Sequence, residues 1–94
     1  MIKFRSTEMG GWETPILGEK FKTIIKIDSA LHDCCLYLED SGNRINPGDT
    51  LILPMDFLFP EAVLPKIGPG KKFELVTLTR TIADGEFVEV REVP

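Results

Sequence analysis

The chain has little of what most chemistry needs. Its 94 residues include two cysteines, one histidine, one tryptophan and one tyrosine. The lone histidine, His32, has Asp28 and Ser29 close by in sequence. A hydrolase triad needs partners that converge from separate parts of a fold, and three residues of one short turn do not converge. His32 therefore reads as a turn histidine. Cys34 and Cys35 are adjacent, so on a strand their side chains leave opposite faces and are poorly placed to bridge or to share a metal. The run His32-Asp33-Cys34-Cys35 offers metal-type atoms, but no further ligands stand elsewhere in a recognisable spacing. No metal and no cofactor are expected.

Other absences narrow the field further. No apolar run approaches the roughly 18 residues of a membrane span. The start, Met1-Ile2-Lys3-Phe4-Arg5, has no export-signal apolar core. A reducing cytoplasm and no membrane partner are the expectation. Gly68-Pro69-Gly70-Lys71-Lys72 lacks the spacing of a phosphate loop, and no Ser or Thr follows the lysine to hold magnesium, so GTP binding is not expected. Glu86, Glu89 and Glu92 make no paired-carboxylate signature of a glycosidase. With no convergent acid, base, nucleophile or metal set, an enzyme is not expected.

The charge balance is acidic. Eleven Lys/Arg stand against fifteen Asp/Glu, a net charge of −4. Residues 1–47 carry six basic against seven acidic residues, and residues 48–94 carry five against eight. The acidity lies mostly in the second half, and it disfavours a partner dominated by phosphate.

What is present points to strands. Hydrophobic residues make up 43% of the chain, enough for one modest core, and seven prolines and eight glycines suit a turn-rich β fold in a single domain, 1–94. The organising stretch runs from Asn43 to Phe57. Pro47-Gly48 fits the centre of a type II turn, which Asn46 or Asp49 can tie. After it Leu51, Leu53, Met55 and Phe57 alternate with Thr50, Ile52, Pro54 and Asp56, the period of a strand with one apolar face. Pro54 lacks a ladder donor and belongs at an edge or a bulge. Of Phe57, Leu58 and Phe59, two are expected in the core by alternation.

Further strands are read at Ile2 to Glu8, Glu19 to Ile27, Asp33 to Glu39, Lys71 to Thr79 and Arg80 to Glu92. The Met9–Pro15 stretch is a loop, with two glycines and an X-Pro step. Asp28-Ser29-Ala30 and Asp40-Ser41-Gly42-Asn43 are turns. Phe59 to Gly70 is a long connection with one helical turn at Ala62-Val63-Leu64, stopped by Pro65. No window shows ten residues of helical periodicity. Six strands in one short chain imply an all-β, closed or nearly closed six-stranded antiparallel barrel.

Several of these features occur together in one family. Gly10-Gly11, Thr14-Pro15 and Gly18 mark the first loop, Pro47-Gly48-Asp49 the middle turn, Phe59-Pro60-x-Ala62 the following connection, and Arg80-Thr81-Ile82-Ala83-x-Gly85-x-Phe87-Val88 the last strand. In this order and spacing, over about residues 2–91, the chain resembles the C-terminal (third) β-barrel domain of translation elongation factor Tu. Local rules read Ala83-Asp84-Gly85-Glu86 as a hairpin turn. The resemblance instead puts the turn near Thr77-Leu78-Thr79 and makes Arg80 to Arg91 one strand.

The family's barrel contributes no chemistry. It holds the T-stem side of aminoacyl-tRNA and meets protein partners. The family's Glu-Gly-Gly before the Arg-Thr step is Thr77-Leu78-Thr79 here, and its Arg-His pair is Trp12-Glu13. Those replacements and the acidic charge set the expectation: a non-catalytic binding module acting through a protein partner, with a link to translation. Trp12 and Glu13, in a glycine-bordered loop, are the candidate protein contacts. Two alternatives stay open. One is a tRNA-binding module using Thr14, Arg80 and a lysine stripe of Lys20, Lys22 and Lys26 on one strand face. The other is an acidic inhibitor or immunity-type protein that masks a basic partner.

Overall fold

The computed structural model describes residues 1–5, 15–77 and 80–90. It is mostly β. The strands are β1 (Ile2–Phe4), β2 (Ile16–Leu17), β3 (Lys20–Ile27), β4 (Ala30–Tyr37), β5 (Arg44–Ile45), β6 (Thr50–Leu51), β7 (Met55–Phe57), β8 (Lys72–Val76) and β9 (Thr81–Glu86). One helical turn, α1 (Pro60–Val63), runs into a 3-10 turn at Leu64–Lys66. Pro60 opens α1 at the first helical position, where a missing N–H is harmless, and Pro65 falls in the tighter turn that follows.

Seven strands form one antiparallel sheet in the order β6-β1-β9-β8-β3-β4-β7. The order forces the sheet to curl. Its two edges, β6 and β7, are separated in sequence only by residues 52–54. A flat sheet of seven strands would hold its edges about 29 Å apart at ~4.8 Å per step. Four chain steps reach at most about 14 Å. The sheet is therefore bent into a half-barrel, with 50–57 running along the seam.

The Asn43–Phe57 stretch supplies both edges of the sheet, β6 and β7. Its alternation holds: Leu51, Leu53, Met55 and Phe57 are half-buried, while Thr50, Ile52, Pro54 and Asp56 are exposed. Pro54 divides the expected strand in two, which is why the sheet has seven strands where six were read. β2 and β5 add a two-stranded sheet that the sequence did not announce.

The core is the inner face of the curl. Ile2, Phe4, Ile25, Ile27, Cys34, Leu36, Phe73 and Leu75 point inward from alternate positions of their strands. β8 and β9 are out of step by one residue between Leu75 and Val76. A bulge of this kind turns two consecutive side chains to one side, and Ile82 and Ala83 are both buried.

β9 runs straight through Asp84-Gly85, paired with β1 on one side and β8 on the other. No hairpin forms there. Gly85 is instead a point of close packing, since a Cβ on it would lie 2.2 Å from Cζ of Phe73. The Phe73 ring covers the glycine and packs against Phe87, ring centroids 4.7 Å apart. The chain reverses instead after β8, where the Thr77 N–H donates to the Arg80 carbonyl at 2.8 Å. Residues 78–79 lie outside the described residues.

The turns follow their local chemistry. Gly48 has φ of 87°, the Asp49 N–H donates to the Asn46 carbonyl at 3.1 Å, and the Asp49 carboxylate accepts from the Asn46 N–H at 2.9 Å. Asp28 and Ser29 both take positive φ, 50° and 70°, in the two-residue β3–β4 hairpin. That hairpin is tight, so β4 starts at Ala30 rather than Asp33. His32 therefore sits in a strand opposite Ile25, not in a turn. Leu58 and Phe59 are 65% and 57% exposed, so only Phe57 of that run turns inward. The chain leaves the sheet at Leu58 to begin α1, and alternation no longer applies.

Candidate functional site

The eight residues of β3 alternate cleanly. Phe21, Thr23, Ile25 and Ile27 face inward, and Lys20, Lys22, Ile24 and Lys26 face outward. Cross-strand register then decides each lysine's company. Lys20 lies opposite Tyr37, Lys22 opposite Cys35, and Lys26 opposite Leu31 on one side and Glu74 on the other. Asp56 of β7 pairs with Cys35 and so joins the same outer face.

The result is a shallow groove of about 570 Å³ across β3, β4 and β7. Lys20, Lys22, Asp33 and Asp56 supply two positive and two negative charges to its lining. Ile24, Phe57 and Leu58 supply apolar surface. Leu31, outward on the same strand as Asp33, is 61% exposed.

Tyr37 ties the groove together. Its hydroxyl donates to Oδ2 of Asp56 at 2.6 Å, and the Lys20 ammonium stands 5.7 Å from its ring centroid. The bond to Asp56 pushes the phenol up to about 12, because ionisation would set a second negative charge beside the carboxylate.

Arg80 is exposed at the turn after β8. The pairing of Ile24 with Val76 carries that turn toward the Lys22 end of β3. Lys20, Lys22 and Arg80 thus share one end of the sheet, and Lys26 lies at the other, beside Glu74. Trp12, Glu13 and Thr14 lie outside the described residues.

The metal-type run is split by the pleat. Cys34 is buried and Cys35 faces outward, and both are free thiols. Burial, with smaller contributions from Cys35 and Asp33, pushes the Cys34 thiol up to about 12, so it is chemically quiet. The buried Nε2 of His32 has no hydrogen-bond partner among the described residues, and the Asp28 carboxylate is instead engaged by the Lys71 ammonium at 2.7 Å. The three residues His32, Asp28 and Ser29 form no relay.

Tyr37, Asp56, Leu58 and Leu31 were not singled out by sequence. The period of two through Asp33, Cys35 and Tyr37 is the local signal that could have found an outward face. Which strand would lie against it depends on pairings across twenty residues or more, and no local pattern carries that. In comparison with known proteins, no family model matches the chain and no curated protein matches it.

Proposed function

We propose that the chain is a non-catalytic protein-binding module, with a fold resembling the third domain of elongation factor Tu and a link to translation. On this reading residues 50–57 form one strand of a closed six-stranded barrel. The contact face is the outer surface of β3, β4 and β7, and Trp12 and Glu13 remain candidate contacts on sequence grounds alone. The observation that carries it is the balance of that face. Lysines and carboxylates alternate around exposed leucines, which suits a protein surface of mixed charge and apolar spots. A phosphate track would meet Asp33 and Asp56 within the same groove.

The RNA reading keeps one observation in its favour. Lys20, Lys22 and Lys26 are all exposed on one face, with Arg80 near the first two. Binding to bulk tRNA across a salt series separates the two readings. The protein reading expects no binding at low salt, and capture of a discrete protein that is lost on Leu58→Asp but not on Lys3→Asp. Steeply salt-dependent tRNA binding, abolished by Lys20, Lys22 and Lys26 to alanine, would replace it with the RNA reading.

A further inference from the structure

Four outward side chains at the centre of β3 and β4 form a regular figure. Lys22 is paired with Cys35, and Ile24 with Asp33. They mark the corners of a parallelogram about 7 Å long along the strands and about 5 Å wide across them. The charged residues, Lys22 and Asp33, stand at the ends of one diagonal. Ile24 and Cys35 stand at the ends of the other. Lys22 and Asp33 are exposed, and neither forms an ion pair among the described residues. Apolar surface adjoins the figure on both sides. Val76 pairs with Ile24 on the side away from β4, and the exposed Leu58 donates its N–H to the Asp33 carbonyl at 3.2 Å.

A face that meets its own copy does so about a twofold axis lying in the contact plane. Residue i of one copy then meets residue j of the other, and j meets i. An axis along the Ile24–Cys35 diagonal exchanges the two charged corners. It sets Lys22 of each copy against Asp33 of the other and leaves Ile24 and Cys35 beside their own counterparts. An axis along or across the strands would set both charges against the alkyl group and the thiol instead. An axis along the charged diagonal would join lysine to lysine and aspartate to aspartate. The charge pattern therefore selects one direction, in which the strands of the two copies cross at roughly 70°, close to orthogonal sheet packing.

We propose that this face pairs with a second copy of the chain, as a twofold dimer with Ile24 and Cys35 at its axis and Lys22 beside the partner copy's Asp33 on either side. The inference rests on the reading of this surface as a protein contact and names the partner. Charge complementarity decides the occupant, because both unpaired charges of the figure are satisfied by the figure itself. Two exposed ion pairs around a small apolar centre make a weak, reversible dimer.

The test is sedimentation equilibrium of the purified chain and of two charge-reversed variants, Lys22→Asp and Asp33→Lys, each with an unchanged circular dichroism spectrum. The wild-type chain should pass from monomer to dimer with a midpoint between about 10 μM and about 1 mM. Each variant alone brings like charges together twice, and its midpoint should rise about tenfold or more. An equal mixture of the two variants should associate as tightly as the wild type, because every contact again joins a carboxylate to an ammonium. A wild-type chain still monomeric at about 1 mM, a dimer that neither substitution weakens, or variants that do not recover on mixing would overturn the proposal. The protein reading of the face fails separately. A monomer that captures a different protein through Leu58 refutes the second copy alone, and a monomer that binds tRNA through the lysines refutes both.

Discussion

Gly85 shows how one residue sets the packing of its neighbours. It is paired on both sides near the end of β9, with Ile2 and Phe73, where glycine ordinarily weakens a strand. The Phe73 ring occupies the space a side chain would take, and Phe73 in turn packs on Phe87. Gly85→Ala should therefore destabilise the protein by about 1–3 kcal/mol through overpacking. Urea unfolding measures this, and adding Phe73→Leu to the alanine variant should recover part of the loss. Tyr37 makes a prediction of a different kind. Its phenol is pushed up to about 12 from an ordinary value near 10. Between those values the unfolded chain has lost the proton and the folded chain keeps it. The Tyr37–Asp56 bond thus contributes stability that is present below pH 10 and fades as pH rises through about 12. Absorbance titration should show late ionisation of this lone tyrosine, moving back toward pH 10 in Asp56→Asn.

At the scale of elements, turns were the most legible feature and pairings the least. Asn46-Pro47-Gly48-Asp49 could be read because proline and glycine fix the dihedral angles locally. Gly48 at φ of 87° is the position that needs it. Gly48→Ala should cost about 1 kcal/mol or more in thermal unfolding, since an L side chain is strained there. The faces of β3 were legible for the same local reason, a period of two. The Asp28-Ser29 hairpin was read one step too loosely. Neither residue is glycine, yet both take positive φ, so β4 begins earlier and carries His32 into a strand. Local rules misread Asp84-Gly85 as a turn, because burial of Phe73 against it comes from another strand. The same reason hid the groove. Lys22, Cys35 and Asp56 meet only through two separate registers.

The whole molecule follows from the place of residues 50–57. Leaving β1 and joining β4 within so few residues bends the sheet and creates the inner core. It also sets Asp56 and Leu58 beside Tyr37 and the lysines. Net charge of −4 places the molecule among acidic surfaces, and the four charges lining the Lys20–Tyr37 groove cancel. That cancellation is the reason to expect protein rather than nucleic acid at this face. The most direct measurement places a photo-crosslinking amino acid at Leu58 in cells, with Thr50 on the far edge as the control site. A discrete protein adduct at Leu58 that is absent at Thr50 is the predicted result. Adducts to RNA at Leu58, or the same adducts from both sites, would contradict the assignment of this face to a protein partner.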